Sequence, residues 1–348
     1  MTHTRLLIYL GHPAHYYIFQ QVIKHCISNQ TPLQIVIKKK DVLEELLRNE
    51  SVPYINIMPH ERSQSAWGII KGIAFRAKEM LSIARSFKPT VMAGTSAEIP
   101  WVGKLLGIKS YVFNEDDYDV VKNFCRVAYP MATGVVAPNV CAVGKYNYKK
   151  ISYNSYHELA YLHPQVFTAN STIAKQYVDI TQPYFILRFS GLGAFHDVGK
   201  TGITDAKALK LVQLLLPYGK VYITSERLTS EALTPYQLNI QPIHMHHIMY
   251  YATMYIGDSQ TMTAEAAVLG VPAYRYNDFV GKLSYLTELE NVYQLAKGFT
   301  TNRWDDMLTD IKTDLNNVQL KQIHTQRLQK LLSEKINAAD FIQQLLLT

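Results

Sequence analysis

Short apolar runs recur along this chain, and nearly every one is followed by a small-residue break and then by a stretch with helical spacing. Leu6 to Leu10 leads through Gly11-His12-Pro13-Ala14-His15 into Tyr16 to Ser28. Leu33 to Ile37 precedes Asp41 to Asn49, and Pro53 to Ile57 precedes a helix read from about Ser65 to Phe87. Thr90 to Ala93 then runs through Gly94-Thr95-Ser96 into a short helix ending at Leu106, before Ser110 to Phe113. Strands alternating with helices predict βαβ units and a parallel sheet. The passage Pro138 to Pro164 lacks clear periodicity and reads as interdomain. The pattern then restarts with a strand at Tyr184 to Phe189, a helix at Asp205 to Leu216, strands at Lys220 to Thr224 and Met254 to Ile256, and a helix at Thr261 to Leu269. The expected fold is α/β, with two doubly wound parallel-sheet domains facing a central cleft. Residues 1–164 are expected to form the first domain and 165–319 the second. Residues 320–348 are expected to form a helix crossing back to the first.

A chain of 348 residues exceeds what one core usually supports, and 48% hydrophobic against 18% charged content excludes a disordered chain. The longest early apolar run, Leu6 to Leu10, is too short for a secretory or membrane-spanning segment, so a cytoplasmic protein is expected. Cys26, Cys125 and Cys141 share no close spacing and read as core thiols of a reducing compartment. Charge is unevenly spread. Residues 1–165 hold 19 Lys and Arg against 12 Asp and Glu, whereas the remainder holds 16 of each, so the first part carries the whole net charge of +7. A basic domain suggests an anionic partner, without choosing among phospholipid, polyphosphate, acidic glycan and nucleic acid.

The strongest local signal is Tyr255-Ile256-Gly257-Asp258-Ser259-Gln260-Thr261-Met262-Thr263-Ala264-Glu265, which continues to Gly270-Val271-Pro272. It combines a strand, a small-residue turn, a helix start and a defined stop. Amides at Gln260, Thr261 and Met262 are expected to be unsatisfied and positively polarised, ready for a phosphate, with hydroxyls from Ser259 and Thr261 beside them. Glu265, about one turn further in, is placed to accept both hydroxyls of a ribose. The plainer account is a capped helix with Glu265 complementing its dipole.

This passage resembles the donor-nucleotide motif of GT-B glycosyltransferases and of the related UDP-GlcNAc 2-epimerases. Gly11-His12-Pro13-Ala14-His15, the run Tyr153-Asn154-Ser155-Tyr156-His157-Glu158-Leu159-Ala160-Tyr161-Leu162-His163-Pro164, Tyr184-Phe185-Ile186-Leu187-Arg188-Phe189 and Ile223-Thr224-Ser225-Glu226 resemble the hallmark strings of a bacterial and archaeal family labelled domain of unknown function 354. That resemblance covers nearly the whole chain and implies a GT-B-like pair of Rossmann domains.

Loops at the carboxyl ends of parallel strands are where such folds bind ligands. His12 and His15 are candidate bases for an acceptor hydroxyl. Glu115 is the pick among Glu115, Asp116, Asp117 and Asp119, whose crowding favours one raised carboxyl; a solvated acidic turn is the bland alternative. Thr95, Ser96, His157 and Glu158 are expected on the cleft wall or hinge. Ser190, Gly191 and Gly193 read as a flexible diphosphate loop, with Arg188 or His196 balancing charge. His244 and Met245 are expected to flank the base. Gly199-Lys200-Thr201 lacks the earlier glycine of a phosphate-binding P-loop, because position 194 is Ala194. No metal or cofactor is expected, since His244-Met245-His246-His247 has no familiar ligand spacing around it. The basic amphipathic run Trp67 to Lys78 suits either a sheet-covering helix or an anionic membrane surface.

The leading expectation is a metal-independent, nucleotide-sugar-dependent glycosyltransferase. It would use a UDP-sugar on a cell-surface glycan or lipid-linked acceptor, peripheral at the inner face of the membrane. A hydrolysing UDP-GlcNAc 2-epimerase is the second reading, although Gly94-Thr95-Ser96 lacks its expected aspartate and Val120-Val121 its glutamate pair. A non-catalytic nucleotide- or glycan-binding protein is the third. No nucleic-acid motif accompanies the positive charge, so nucleic acid is not an expected partner.

Overall fold

The computed structural model describes residues 4–38, 42–58, 66–191 and 202–348. The chain divides into two compact units, Met1–Tyr161 with Ile336–Thr348, and Leu162–Lys335. In the first, β1 (Leu6–Leu10), β2 (Leu33–Ile37), β3 (Tyr54–Asn56), β4 (Val91–Gly94), β5 (Lys109–Phe113), β6 (Gly134–Pro138) and β7 (Lys150–Tyr153) form a sheet in the order β3-β2-β1-β4-β5-β6-β7. Every described neighbouring pair is parallel. Central β1 is buried along its whole length, which is why its five residues carry no polar alternation. Leu7, Val36, Met80, Met92 and Ile99 form a core on one face. Burying each such side chain contributes about 1.5–3 kcal/mol against chain entropy.

The second unit repeats the scheme with β8 (Tyr184–Phe189), β9 (Lys220–Ser225), β10 (Met254–Gly257), β11 (Ala273–Tyr276) and β12 (Ala296–Phe299), in the order β12-β11-β10-β8-β9. These pairs are parallel too. Phe185, Leu187, Leu211, Ile256 and Ile311 lie in its core. The two parallel-sheet domains read from the sequence are therefore present.

Two local expectations change. The passage read as aperiodic contains β7, whose sequence Lys-Ile-Ser-Tyr is half polar because it is the edge strand of the first sheet. The stretch read as one helix from about Leu320 is two, Leu320–Glu334 and Ala338–Leu347. The break is held by side chains. Lys335 is extended and its Nζ lies 2.8 Å from Glu288 Oε2, while Asn337 caps the second helix by accepting the Ala339 N–H at 3.0 Å. That second helix packs within the first unit. Phe341 stacks on Tyr153, with ring centroids 5.0 Å apart, and Gln343 meets His25. No helix among the described residues is long and apolar enough to cross a membrane.

Candidate functional site

Each sheet reverses its direction of winding once, between β1 and β4 in the first unit and between β8 and β10 in the second. At such a point the loops leaving adjacent strands splay to opposite faces and open a crevice at the carboxyl edge.

At the β8/β10 point the chain leaves β10 as Asp258-Ser259 and enters the helix Gln260–Val268. Ser259 is extended and its Oγ accepts the Met262 N–H at 3.4 Å, the geometry of an N-cap. The N–H groups of Gln260 and Thr261 have no acceptor among the described residues, and residues 259–262 are only half-buried. The helix therefore presents polarised, accessible donors at the crevice.

Asp258 shapes the opposite wall. Its buried carboxylate accepts the Ser190 N–H at 2.6 Å and the Ile203 N–H at 3.1 Å, and its carbonyl accepts from Asn277 Nδ2 at 2.8 Å. Burial raises its pKa, opposed by those backbone donors. Gly202 is required beside it, because a Cβ there would collide with the carboxylate. Arg188, at the end of β8, pairs with Glu226 Oε1 at 2.5 Å, and Glu226 Oε2 accepts the Gly191 N–H at 3.1 Å. Gly193 and His196 lie outside the described residues.

Glu265 is 5% exposed, and its Oε1 lies 3.0 Å from His246 Nε2. The three clustered histidines thus face different partners. His244 Nδ1 is 2.9 Å from the Tyr177 hydroxyl; His247 Nδ1 accepts the Asn170 N–H at 3.1 Å and its ring stacks on Phe167. Burial, then His246 and His244, lower the His247 pKa. Met245 is buried. Among the described residues, no group of three or more His, Cys, Asp or Glu side chains is placed to hold a metal ion.

At the β1/β4 point, His12 caps the helix Pro13–Ser28 by accepting the Ala14 N–H at 3.2 Å. His15 Nδ1 accepts the Gly11 N–H at 3.1 Å and lies 2.6 Å from Thr95 Oγ1. Accepting the amide proton at Nδ1 leaves the neutral ring protonated at Nε2, which itself lies 3.1 Å from Thr95 Oγ1. Ser96 Oγ is buried without a described hydrogen-bond partner. After β5, Glu115 lies 3.4 Å from His157 Nδ1 and accepts the His157 N–H at 3.3 Å. Glu158 is fully buried. Asp117 is committed elsewhere, accepting the Ala142 N–H at 2.6 Å.

The structure thus brings His12, His15 and Thr95 together at one point, Glu115 and His157 at a neighbouring strand end, and Ser190, Gly191 and Ser259 around Asp258. Sequence reasoning passed over Asp258, His246 and Glu226. Asp258 stood in the Gly257-Asp258-Ser259 turn and Glu226 directly after a strand, both readable as strand-end polar residues. Nothing local marks His246 above its two histidine neighbours.

The arrangement is the GT-B fold, a class of α/β proteins with two Rossmann-like domains. UDP-GlcNAc 2-epimerase from Neisseria meningitidis bound to UDP-GlcNAc is similar over 99% of this chain and 100% of its own, with a TM-score of 0.65 and 14% identity. MurG of Acinetobacter baumannii matches over 98% and 99%, with a TM-score of 0.60 and 14% identity. The Streptomyces sp. SF2575 glycosyltransferase SsfS6 matches over 99% of each chain, with a TM-score of 0.61 and 12% identity. No family model matches this chain, including any for the family whose hallmark strings it resembles, and no curated protein does.

Proposed function

We propose that this protein is a glycosyltransferase that takes its sugar from a nucleotide diphosphate donor, UDP in the first instance. The observation that carries the proposal is the half-open helix start at the β8/β10 point, where Gln260 and Thr261 offer unpaired N–H groups one turn before a buried carboxylate. Solved structures of this fold with UDP-GlcNAc bound support the choice of ligand.

In this reading the diphosphate sits on the Gln260 and Thr261 N–H groups, next to Met262, whose own N–H is held by Ser259 Oγ, with the hydroxyls of Ser259 and Thr261 beside it. Charge that builds on the departing UDP is met by donors already fixed in place, each contributing about 3 kcal/mol to the transition state. No metal is needed for that step. Glu265, oriented by His246, reads the ribose, and His244 and Met245 border the base. Arg188 supplies positive charge while Glu226 fixes its direction; Ser190 and Gly191 are the described part of the phosphate loop.

On the acceptor side, Glu115 backed by His157 is the base. His15, held by the Gly11 amide and by Thr95 Oγ1, lines the acceptor crevice. His12, Thr95 and Ser96 shape that crevice, and Glu158 supports His157. The acceptor is a surface glycan or a lipid-linked precursor, reached through peripheral contact of the basic first unit with an anionic membrane.

Calorimetric titration with UDP tests the donor assignment. Glu265→Gln should weaken UDP about tenfold or more while the chain stays folded, because a charge-assisted hydrogen bond to ribose is lost. Unchanged affinity overturns the assignment. Incubation with UDP-GlcNAc and no acceptor addresses the reaction. Release of UDP with an epimerised sugar would replace the transferase by the hydrolysing epimerase, whereas binding of every nucleotide sugar without turnover on any acceptor would leave a binding protein.

A further inference from the structure

The amino-terminal edge of the first sheet, opposite the strand ends described above, carries a cavity of about 280 Å³. Lys109 opens β5, Thr133 precedes β6, Lys149 precedes β7, and Lys104 stands in the last turn of the helix Glu98–Leu106. All four residues line the cavity, together with Ser110, and no carboxylate does.

Two observations point to a ligand. Ser110 is 1% exposed, yet its Oγ has no hydrogen-bond partner among the described residues. A buried hydroxyl left unpaired is destabilising, and a ligand in the same cavity would supply the missing hydrogen bond. The second is unbalanced positive charge. None of Lys104, Lys109 and Lys149 pairs with a described carboxylate. Lys149 donates to the carbonyls of Pro130 and Ala132, both at 2.7 Å, which leaves one of its three N–H groups. Those bonds, and the bond from the Ile108 N–H to the Gly103 carbonyl, also cover carbonyls that would repel an anion. Burial first, and Lys104 second, lower the Lys149 pKa, a penalty that an anion in the cavity would relieve.

We propose that this cavity binds a phosphate-bearing anion, held by Lys104, Lys109 and Lys149 and by the hydroxyls of Ser110 and Thr133. Thr133 Oγ1 accepts the Ser110 N–H at 3.0 Å, so its own proton is directed elsewhere. The cavity accommodates a phosphate group with a small substituent, and its rim at Met131 is exposed.

Lysine acetylation read by mass spectrometry tests the site on the full chain. Inorganic phosphate and glycerol 3-phosphate are compared with chloride at equal ionic strength, and vesicles of phosphatidic acid in phosphatidylcholine with phosphatidylcholine alone. Acetylation of Lys104 and Lys109 should slow about tenfold at saturation, with exposed Lys145 and Lys175 unchanged. Protection by the free phosphates identifies a soluble ligand, and protection by phosphatidic acid vesicles alone a lipid headgroup; either supports the site. Ser110→Ala breaks no described side-chain hydrogen bond, so the variant should fold and need about tenfold more phosphate for half-protection. Absence of protection by any probe, equal slowing at all four lysines, or an unshifted midpoint in Ser110→Ala overturns the proposal.

Discussion

A carboxylate removed from water needs a partner, and Glu265 has His246 Nε2 at 3.0 Å with both side chains nearly buried. The imidazole therefore fixes the direction of the carboxylate before any ligand arrives. Under the proposed function, His246 is a positioning residue. His246→Ala should weaken UDP about tenfold, whereas His246→Gln, which keeps an N–H donor, should recover most of the loss. Calorimetry on the three proteins checks this, and equal weakening by Ala and Gln would reduce the pair to a packing role. A capped helix was legible in sequence as the plainer account, because capping is a local event; that Ser259 is the cap was not, and its Oγ takes the Met262 N–H that was expected to be open. His246 was not legible either. It reaches Glu265 from a separate helix, and no spacing rule selects it from His244-Met245-His246-His247. His15 shows a related limit: the loop was readable, but the tautomer depends on the Gly11 amide and on Thr95 from another strand.

Elements were most readable where both ends carry a chemical stop. The helix after β10 begins at a Ser cap and ends at Gly270, whose φ of +77° is open to glycine and strained for other residues. A Cβ there would also lie 3.0 Å from Leu328 Cδ2. Gly270→Ala should therefore cost about 1–2 kcal/mol, visible as a lower urea midpoint; an unchanged midpoint would mean the backbone relaxes freely. β8 was read with its full bounds because all but one of its residues are apolar or aromatic and it is buried on both faces. β6, β7, β11 and β12 were not read as strands; β6, Gly-Val-Val-Ala-Pro, is framed by two residues that ordinarily break strands. Edge position makes β7 half polar, and the two short strands Ala273–Tyr276 and Ala296–Phe299 include Arg275 and Lys297. Arg275 is fully buried only because Glu290 Oε1 lies 2.7 Å from it, a pairing that no strand pattern reveals.

For the molecule as a whole, two parallel sheets followed from the alternation of elements, while the break at Lys335–Asn337 did not, because its anchors Glu288 and Asn154 lie far away in sequence. The second unit also contains a buried acid-sensitive group. His324, on the helix Leu320–Glu334, is 3% exposed and its Nδ1 has no hydrogen-bond partner among the described residues. Burial lowers its pKa to about 4; nearby Arg327 and Lys297 act in the same direction, and Asp314 opposes them. In the unfolded chain the ring titrates near the ordinary value of about 6.5. Above that pH both states hold a neutral ring and the group has no effect on stability. As pH falls below it, the unfolded chain takes up a proton that the folded chain refuses, so stability drops until about pH 4 and then levels off. The loss amounts to at most about 3 kcal/mol. His324→Leu removes this titration. Its urea midpoint, compared with that of the parent chain, should rise relatively by pH 4.5 whatever the difference at pH 7.5. Two curves that stay parallel across that range would show that the ring is reached by water and protonates in the folded state.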